Sequence, residues 1–188
     1  MCSSDLVSAL NGASYDGFAD IREIGPVGMI TLRCKHDVKA LPKAIKAATG
    51  MATPAPRRII KDGAFGAAWM APDEVLLILP YDQVANTLAT IATSLKADHH
   101  LAVDVSDARA VFRITGDQAA QVLMKLTPAD ITTMAPGEIR RSRAAQVAAA
   151  FWAEDGGFSL VCFRSVAPYM MGLLTHSAQP GSALDAAP

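Results

Sequence analysis

The reactive side chains of this chain are few, and their spacing excludes most of the chemistry they are capable of. Its three cysteines, Cys2, Cys34 and Cys162, have no CxxC spacing. None of its four histidines, His36, His99, His100 and His176, sits near them at metal-ligand intervals. Reduced thiols and no structural zinc are therefore expected. Nucleophilic catalysis needs a serine or cysteine held beside a base, but there is no GxSxG turn, and no histidine has an obvious partner. A nucleotide enzyme needs glycines that let backbone amides approach phosphate, yet neither GxGxxG nor GxxxxGK[ST] occurs.

The remaining candidates are local clusters. Cys162 alternates with apolar residues and reads as buried packing, as does Cys34. His99-His100 follows Asp98 immediately before a strand and reads as a surface turn. Asp104, Asp107 and Arg109 make the most polar cluster near a strand end, suited either to holding a ligand or to fixing a turn through Asx hydrogen bonds, and the turn is favoured. The run Arg140-Arg141-Ser142-Arg143, with Arg113 and Arg164 in the same half, is the marked concentration of charge. On a strand, Arg141 and Arg143 share one face while Arg140 points to the other. Such a run suits an anion pocket, a protein contact or an edge strand protected by charge. Trp69 and Trp152 read as core or interface anchors.

The elements that must position these residues recur. Trp69-Met70-Ala71-Pro72-Asp73-Glu74 followed by Val75 to Leu79 is echoed by Trp152-Ala153-Glu154-Asp155-Gly156-Gly157 followed by Phe158 to Cys162. In each copy a small apolar strand ends in tryptophan, turns on an acidic cluster and returns as an apolar strand, which is a β-hairpin pattern. A helix precedes and follows each hairpin, so the chain reads as a duplicated α+β protein. The first copy opens with a strand at Met29 to Cys34. Its helix carries the stripe Leu41, Ala44, Ile45 and Ala48, with Asp37 as cap, Pro42 in the first turn and Gly50 as the left-handed stop. Strands at 63–70 and 74–79 follow, and then a helix with the stripe Val84, Leu88, Ile91 and Leu95, capped by Asp82.

The second copy begins at Leu101 to Val105 and continues with a strand over 110–115 and a helix using Ala119, Val122, Leu123 and Leu126. One bent strand or two cover 139–152, Phe158 to Phe163 pairs back, and Ser165 caps a last helix. The expected organisation is an amino-terminal arm at 1–27 with a short strand at Asp20 to Ile24, α+β units at 28–100 and 101–176, and a disordered tail at 177–188.

A chain of 188 residues that is 51% hydrophobic buries a sizeable core. Its formal charge of −1 provides no excess of positive charge to recruit nucleic acid or anionic lipid. Residues 1–5 lack the positive and apolar regions of a signal peptide, and no apolar stretch reaches the length of a membrane span, so a soluble cytoplasmic protein is expected.

Taken together, these residues resemble the gamma subunit family of heterotetrameric bacterial sarcosine oxidase. The resemblance is carried by Leu32-Arg33, by Trp69 through Glu74, by Asp104-Val105-Ser106-Asp107-Ala108-Arg109, by Arg113-Ile114-Thr115-Gly116, and by Phe163-Arg164-Ser165. It implies kinship with the folate-binding aminomethyltransferases of the glycine cleavage system. The fold so implied is two tandem ferredoxin-like (βαββα) units with antiparallel sheets. It also implies an enzyme that oxidises sarcosine to glycine with formation of hydrogen peroxide, tetrahydrofolate capturing the one-carbon unit. FAD, FMN and NAD would sit on alpha and beta subunits and zinc on a delta subunit, with no cofactor, metal or active site on this chain.

In the folate enzymes the hairpin corresponding to residues 139–163 carries an essential acid on its inner strand. Here the stretch Ala144 to Trp152 contains no carboxylate. A packing role is expected instead, chiefly against the alpha subunit. The loops at 49–58 and 127–138, the arm, Arg57, Arg58, Arg140, Arg141, Arg143, Trp69 and Trp152 are the candidate contacts. Two other readings remain open. One is a free-standing folate or small-molecule binder using Asp104, Arg109 and Arg143. The other is a regulatory module that assembles with itself.

Overall fold

The computed structural model describes residues 7–184. Cys2 and the end of the expected tail, 185–188, lie outside the described residues. The chain divides into two compact units, and the division is not the one the sequence suggests. Among the described residues, one unit comprises 26–106 with 137–139, and the other comprises 7–25, 107–136 and 140–184.

The first unit is built on a five-stranded sheet. In chain order it contains β3 (Gly28–Cys34), α1 (Leu41–Thr49), β4 (Ile59–Asp62), β5 (Phe65–Ala71), β6 (Glu74–Leu79), α2 (Val84–Ser94) and β7 (His100–Asp104). The spatial order is β4-β5-β6-β3-β7, each pair antiparallel. Without β4, this is the βαββαβ arrangement of a ferredoxin-like unit. The first strand lies between the third and the fourth, as right-handed helical crossovers require.

Strand β6 sits between β5 and β3 and all six of its residues are buried, which is why Val75 to Leu79 is a continuous apolar run and Glu74 at its start needs a partner. Ile30, Leu32, Leu77 and Leu79 of the sheet pack on Leu41, Ile45, Val84 and Ile91 of the helices. Helix α1 behaves as its sequence dictates, with proline in the first turn and Gly50 at φ 75° donating its amide to the Lys46 carbonyl.

The second unit repeats this plan with one strand borrowed. It contains β8 (Arg109–Thr115), α3 (Ala119–Met124), β9 (Ile139–Ala144), β10 (Val147–Glu154), β11 (Gly157–Phe163) and α4 (Ala167–Ser177). Its six-stranded order is β1-β2-β8-β11-β10-β9, where β1 (Ser14–Asp16) and β2 (Asp20–Ile24) come from the amino-terminal stretch. Strand β2 therefore occupies the place that β7 fills in the first unit. It pairs with β8 from Asp20↔Thr115 to Ile24↔Val111 and buries Ala19 and Ile21 in a core with Phe112, Ile114, Phe151 and Leu160.

Several expectations need correction. The expected arm at 1–27 is not a separate element, because β1 and β2 within it complete the second sheet. The second unit does not begin at Leu101, since β7 pairs with β3 from Ile30↔Asp104 to Cys34↔His100 and closes the first sheet. Strand β4 is an additional edge, separated from β5 by the turn at Gly63 (φ 56°). Of the two forms open to 139–152, one bent strand or two, the chain takes two, because Ala145 takes φ 51° and reverses it.

None of the expected side-chain caps forms. Val84 and Ala167 enter their helices through 3-10 turns at Tyr81–Gln83 and Arg164–Val166, whose own hydrogen bonds engage the first amides, so Asp82 and Ser165 have no amide to take. Asp37 lies too far upstream of Leu41, where the helix begins. The tail is tethered as far as Leu184. The Lys125 ammonium donates to the Ser177 carbonyl (2.7 Å) and the Ser182 hydroxyl (3.0 Å), and the Leu184 amide donates to Gln121 Oε1 (2.6 Å).

Candidate functional site

Four of the five stretches that carry the sequence resemblance meet one another in pairs, and the fifth, Arg113 to Gly116, meets the tip of the second hairpin. In the first unit Arg33, at the end of β3, stands opposite Glu74, at the start of β6. Its Nη2 donates to Glu74 Oε2 at 2.9 Å, Nη1 lies 3.8 Å from Asp73 Oδ2, and the Cys34 amide donates to the Asp73 carbonyl. The Leu-Arg stretch thus clamps the tip of the Trp69–Glu74 hairpin. Glu74 is 5% exposed while the Arg33 side chain is half exposed, so the buried carboxylate is met by a cation that keeps contact with water.

The second unit has a matching clamp. Arg113 Nη1 lies 3.2 Å from Glu154 Oε2, Nη2 donates to the Asp155 carbonyl, and the Trp152 indole N–H donates to Glu154 Oε1 at 2.6 Å. Gly116 donates its amide to Gly156 at the same tip.

The Asp-x-Ser-Asp-x-Arg segment forms a turn, not a pocket. Asp104 Oδ1 accepts from the Ser106 amide (2.9 Å) and hydroxyl (2.6 Å), and Ser106 Oγ accepts from the Met29 amide (2.9 Å). Downstream, Asp107 lies 3.8 Å from Arg164, while the Arg109 guanidinium covers the Phe163 ring at 4.3 Å. Arg164 also donates to the carbonyls of Val7 and Ser8. The late Phe163-Arg164-Ser165 stretch is therefore the partner of Asp107 and Arg109.

The thiols are placed as packing groups. Burial pushes the Cys162 thiol up to about 11, against a weaker opposing pull from Arg109. Burial also raises Cys34, assisted by the charges of Asp98 and Asp37. His100 Nδ1 lies 3.0 Å from the Asp98 carbonyl, which makes the His99-His100 pair part of a turn. Among the described residues no group of three or more His, Cys, Asp or Glu side chains is arranged to hold a metal ion. No helix among them is long and apolar enough to cross a membrane.

The candidate contact residues fall into two sets, one on each unit. Arg57, Arg58 and Trp69 come together at the start of β4. The Trp69 amide donates to the Arg58 carbonyl, Arg57 Nη2 meets Glu138 Oε1 at 2.5 Å, and Arg58 bridges to Glu138 through the backbone. Arg57 and Arg58 are exposed and Trp69 is half-buried. On the other unit β9 alternates as expected, with Arg141 and Arg143 exposed on one face and Arg140 half-buried on the other.

Trp152 does not belong with these anchors. It is 2% exposed and its indole is engaged by Glu154, so it serves its own unit. Each long loop is anchored by a buried residue, Pro54 in one and Ile131, 3% exposed, in the other, while most of its remaining residues are exposed. Asp130 in the second loop accepts from the Thr132 amide and hydroxyl, bonds that hold its carboxyl below the usual carboxylate range.

One buried carboxylate had no sequence signal beyond its place in an alternating strand. Glu23 on β2 is 3% exposed and accepts from the Ser8 hydroxyl (2.7 Å) and the Gly12 amide (2.8 Å), which fastens the loop ahead of β1. Strand β10 presents Val147, Ala149 and Phe151 to the core, and among Ala144 to Trp152 neither face carries an acid.

The model of the sarcosine oxidase gamma subunit family matches residues 33–179. The chain belongs to that family. No curated protein matches it. Among solved structures it is similar to a chain of the heterotetrameric sarcosine oxidase from Corynebacterium sp. U-96 in complex with pyrrole 2-carboxylate. The TM-score is 0.79 at 24% identity, over 90% of this chain and 88% of that one.

It is similar also to the glycine cleavage system aminomethyltransferase T from Bartonella henselae. There the TM-score is 0.64 at 11% identity, over 84% of this chain but 45% of that one. At these identities the likenesses bear on fold, and they agree with the expected pair of ferredoxin-like units. The family match covers both clamps, Arg33 with Glu74 and Arg113 with Glu154.

Proposed function

We propose that this chain is a non-catalytic, structural subunit of a heterotetrameric sarcosine oxidase, working in the cytoplasm and seated chiefly on the alpha subunit, with beta and delta completing the assembly. The observation that carries this reading is the use made of the family-resembling residues. Arg33, Arg109, Arg113 and Arg164 are each committed to Glu74, Phe163, Glu154 or Asp107, closing hairpins and strand ends rather than facing a substrate. Strand β10 offers no acid from Ala144 to Trp152 to orient an amine or accept its proton.

In this reading the partners bind FAD, FMN, NAD, tetrahydrofolate and zinc. They convert sarcosine to glycine, hydrogen peroxide, and formaldehyde or methylene-tetrahydrofolate. Arg57, Arg58, Arg140, Arg141, Arg143 and Trp69 form the contact surface, arginines and a half-buried tryptophan being residue types that anchor interfaces. Co-expression with the three other subunits and purification through a tag on this chain tests the proposal. Flavin-coloured large subunits should be retained and the complex should oxidise sarcosine. Recovery of this chain alone would refute it.

A further inference from the structure

The two sheets have outer edges that are managed differently, and one edge is left in a state that ordinary folded proteins avoid. An exposed strand edge presents unpaired amides and carbonyls to any passing chain, so edges are normally kept short, charged or covered. Among the described residues, β1 is three residues long and polar. Strand β9 carries Arg140, Arg141 and Arg143. At β4 the Ile59 amide donates to the Gly137 carbonyl and the Ile139 amide to the Arg57 carbonyl, which covers the start of that strand.

Among the described residues, the outer edge of β7 has none of these devices along its centre. Leu101 is 54% and Val103 40% exposed, and both lie in this one five-residue strand. The Val105 amide donates to the Met29 carbonyl, so by antiparallel alternation the Leu101 and Val103 amides face β3. Those of His100, Ala102 and Asp104 face outward.

The internal repeat supplies the missing occupant. Strand β2 fills in the second sheet the place that β7 fills in the first, and β2 carries a further antiparallel strand, β1, from Ser14↔Arg22 to Asp16↔Asp20. Among the described residues the first sheet has no counterpart to β1. We propose that an extended segment of a partner subunit adds to the outer edge of β7, taking the position that β1 takes on β2 and covering Leu101 and Val103 with apolar side chains of its own. This rests on the assembly reading above and deepens it by adding a second contact, the β7 edge, and its manner of pairing. Main-chain hydrogen bonds to the outward amides would supply affinity, and alternate side chains against Leu101 and Val103 would supply selectivity.

The test compares the free chain with the co-purified complex by amide hydrogen exchange, together with the double variant Leu101→Lys, Val103→Lys. Both side chains are solvated in the free chain, so the variant should keep the wild-type melting temperature. The amides of Ala102 and Asp104 should exchange freely in the isolated chain and become protected at least about tenfold in the complex. The variant should retrieve less partner by a similar factor, since burial of even one such aliphatic side chain is worth that much. If wild type and variant retrieve partner equally and these amides stay unprotected in the complex, the edge proposal falls while the assembly reading stands. Retrieval of no partner by the wild type overturns both. An isolated chain that forms a dimer abolished by the double variant assigns the edge to a second copy and overturns the proposal.

Discussion

The claim that β2 is an integral strand of the second unit, not part of an arm, makes a sharp prediction for Ile21→Ala. Ile21 is 1% exposed, stands opposite Ile114 and packs in the core that holds Phe112, Phe151 and Leu160. Truncating a buried isoleucine to alanine removes transfer free energy and leaves a cavity, typically about 2–5 kcal/mol. In a chain of 188 residues each kcal/mol lowers the melting temperature by roughly 2–4 °C, so a cost of about 3 kcal/mol becomes a fall of roughly 6–12 °C. The neighbouring Arg22→Ala is the internal control. Arg22 is exposed on the opposite face and stands across from Arg113, so its removal should be neutral within about 0.5 kcal/mol, or slightly stabilising through relief of like charge. Thermal unfolding followed by circular dichroism measures both, and amide exchange at Phe112 and Ile114 localises the loss to the second unit. If Ile21→Ala melts within about 1 °C of Arg22→Ala, β2 carries no packing energy and the borrowed-strand account is wrong.

Alanine at two glycines should act in opposite directions. At Gly157 (φ 155°) an added Cβ would stand 1.9 Å from the Ile114 carbonyl oxygen, so Gly157→Ala should cost more than about 2 kcal/mol in urea unfolding. At Gly172, inside α4 with nothing within 4 Å of the added atom, Gly172→Ala should stabilise by about 0.5–1 kcal/mol. Arg33→Met should cost about 1–3 kcal/mol by removing a charged partner of the buried Glu74, and a cycle with Glu74→Gln should show non-additivity of the same sign. The Cys162 thiol, pushed up to about 11 by burial from 9.0, stays protonated in the folded chain after the unfolded chain has ionised. Its contribution is therefore full below pH 9 and lost as pH rises from about 9 to 11, so over that window Cys162→Ala should lose less stability than wild type.

The parts of the fold legible in the sequence were those set by local periodicity. The hairpins of β5 with β6 and β10 with β11 follow from apolar runs flanking acidic turns, and α1 follows from its stripe with Pro42 and Gly50 at its ends. Which sheet a strand joins is a long-range matter. Asp20–Ile24 reads correctly as a strand, but nothing within five alternating residues says that its partner lies on β8, some ninety positions away. The same holds for β7, which precedes β8 in sequence yet pairs back to β3. Glu23 shares the inward parity of Ile21, but the strand does not state what would satisfy a buried carboxylate there, and the loop at Ser8 to Gly12 supplies its partners only in the fold. Between the core and interface roles open to Trp152 the sequence does not choose, because burial depends on what covers a sheet face, and the fold gives it the core role. The alternation of Arg140, Arg141 and Arg143 was legible because a strand face depends on parity alone.

Sarcosine-dependent hydrogen peroxide formation, measured on this chain purified alone and on the complex retrieved with it, tests the central claim most directly. The account predicts no turnover by the solitary chain at any concentration and sustained turnover by the complex. Peroxide or methylene-tetrahydrofolate formed from sarcosine by the solitary chain would contradict it.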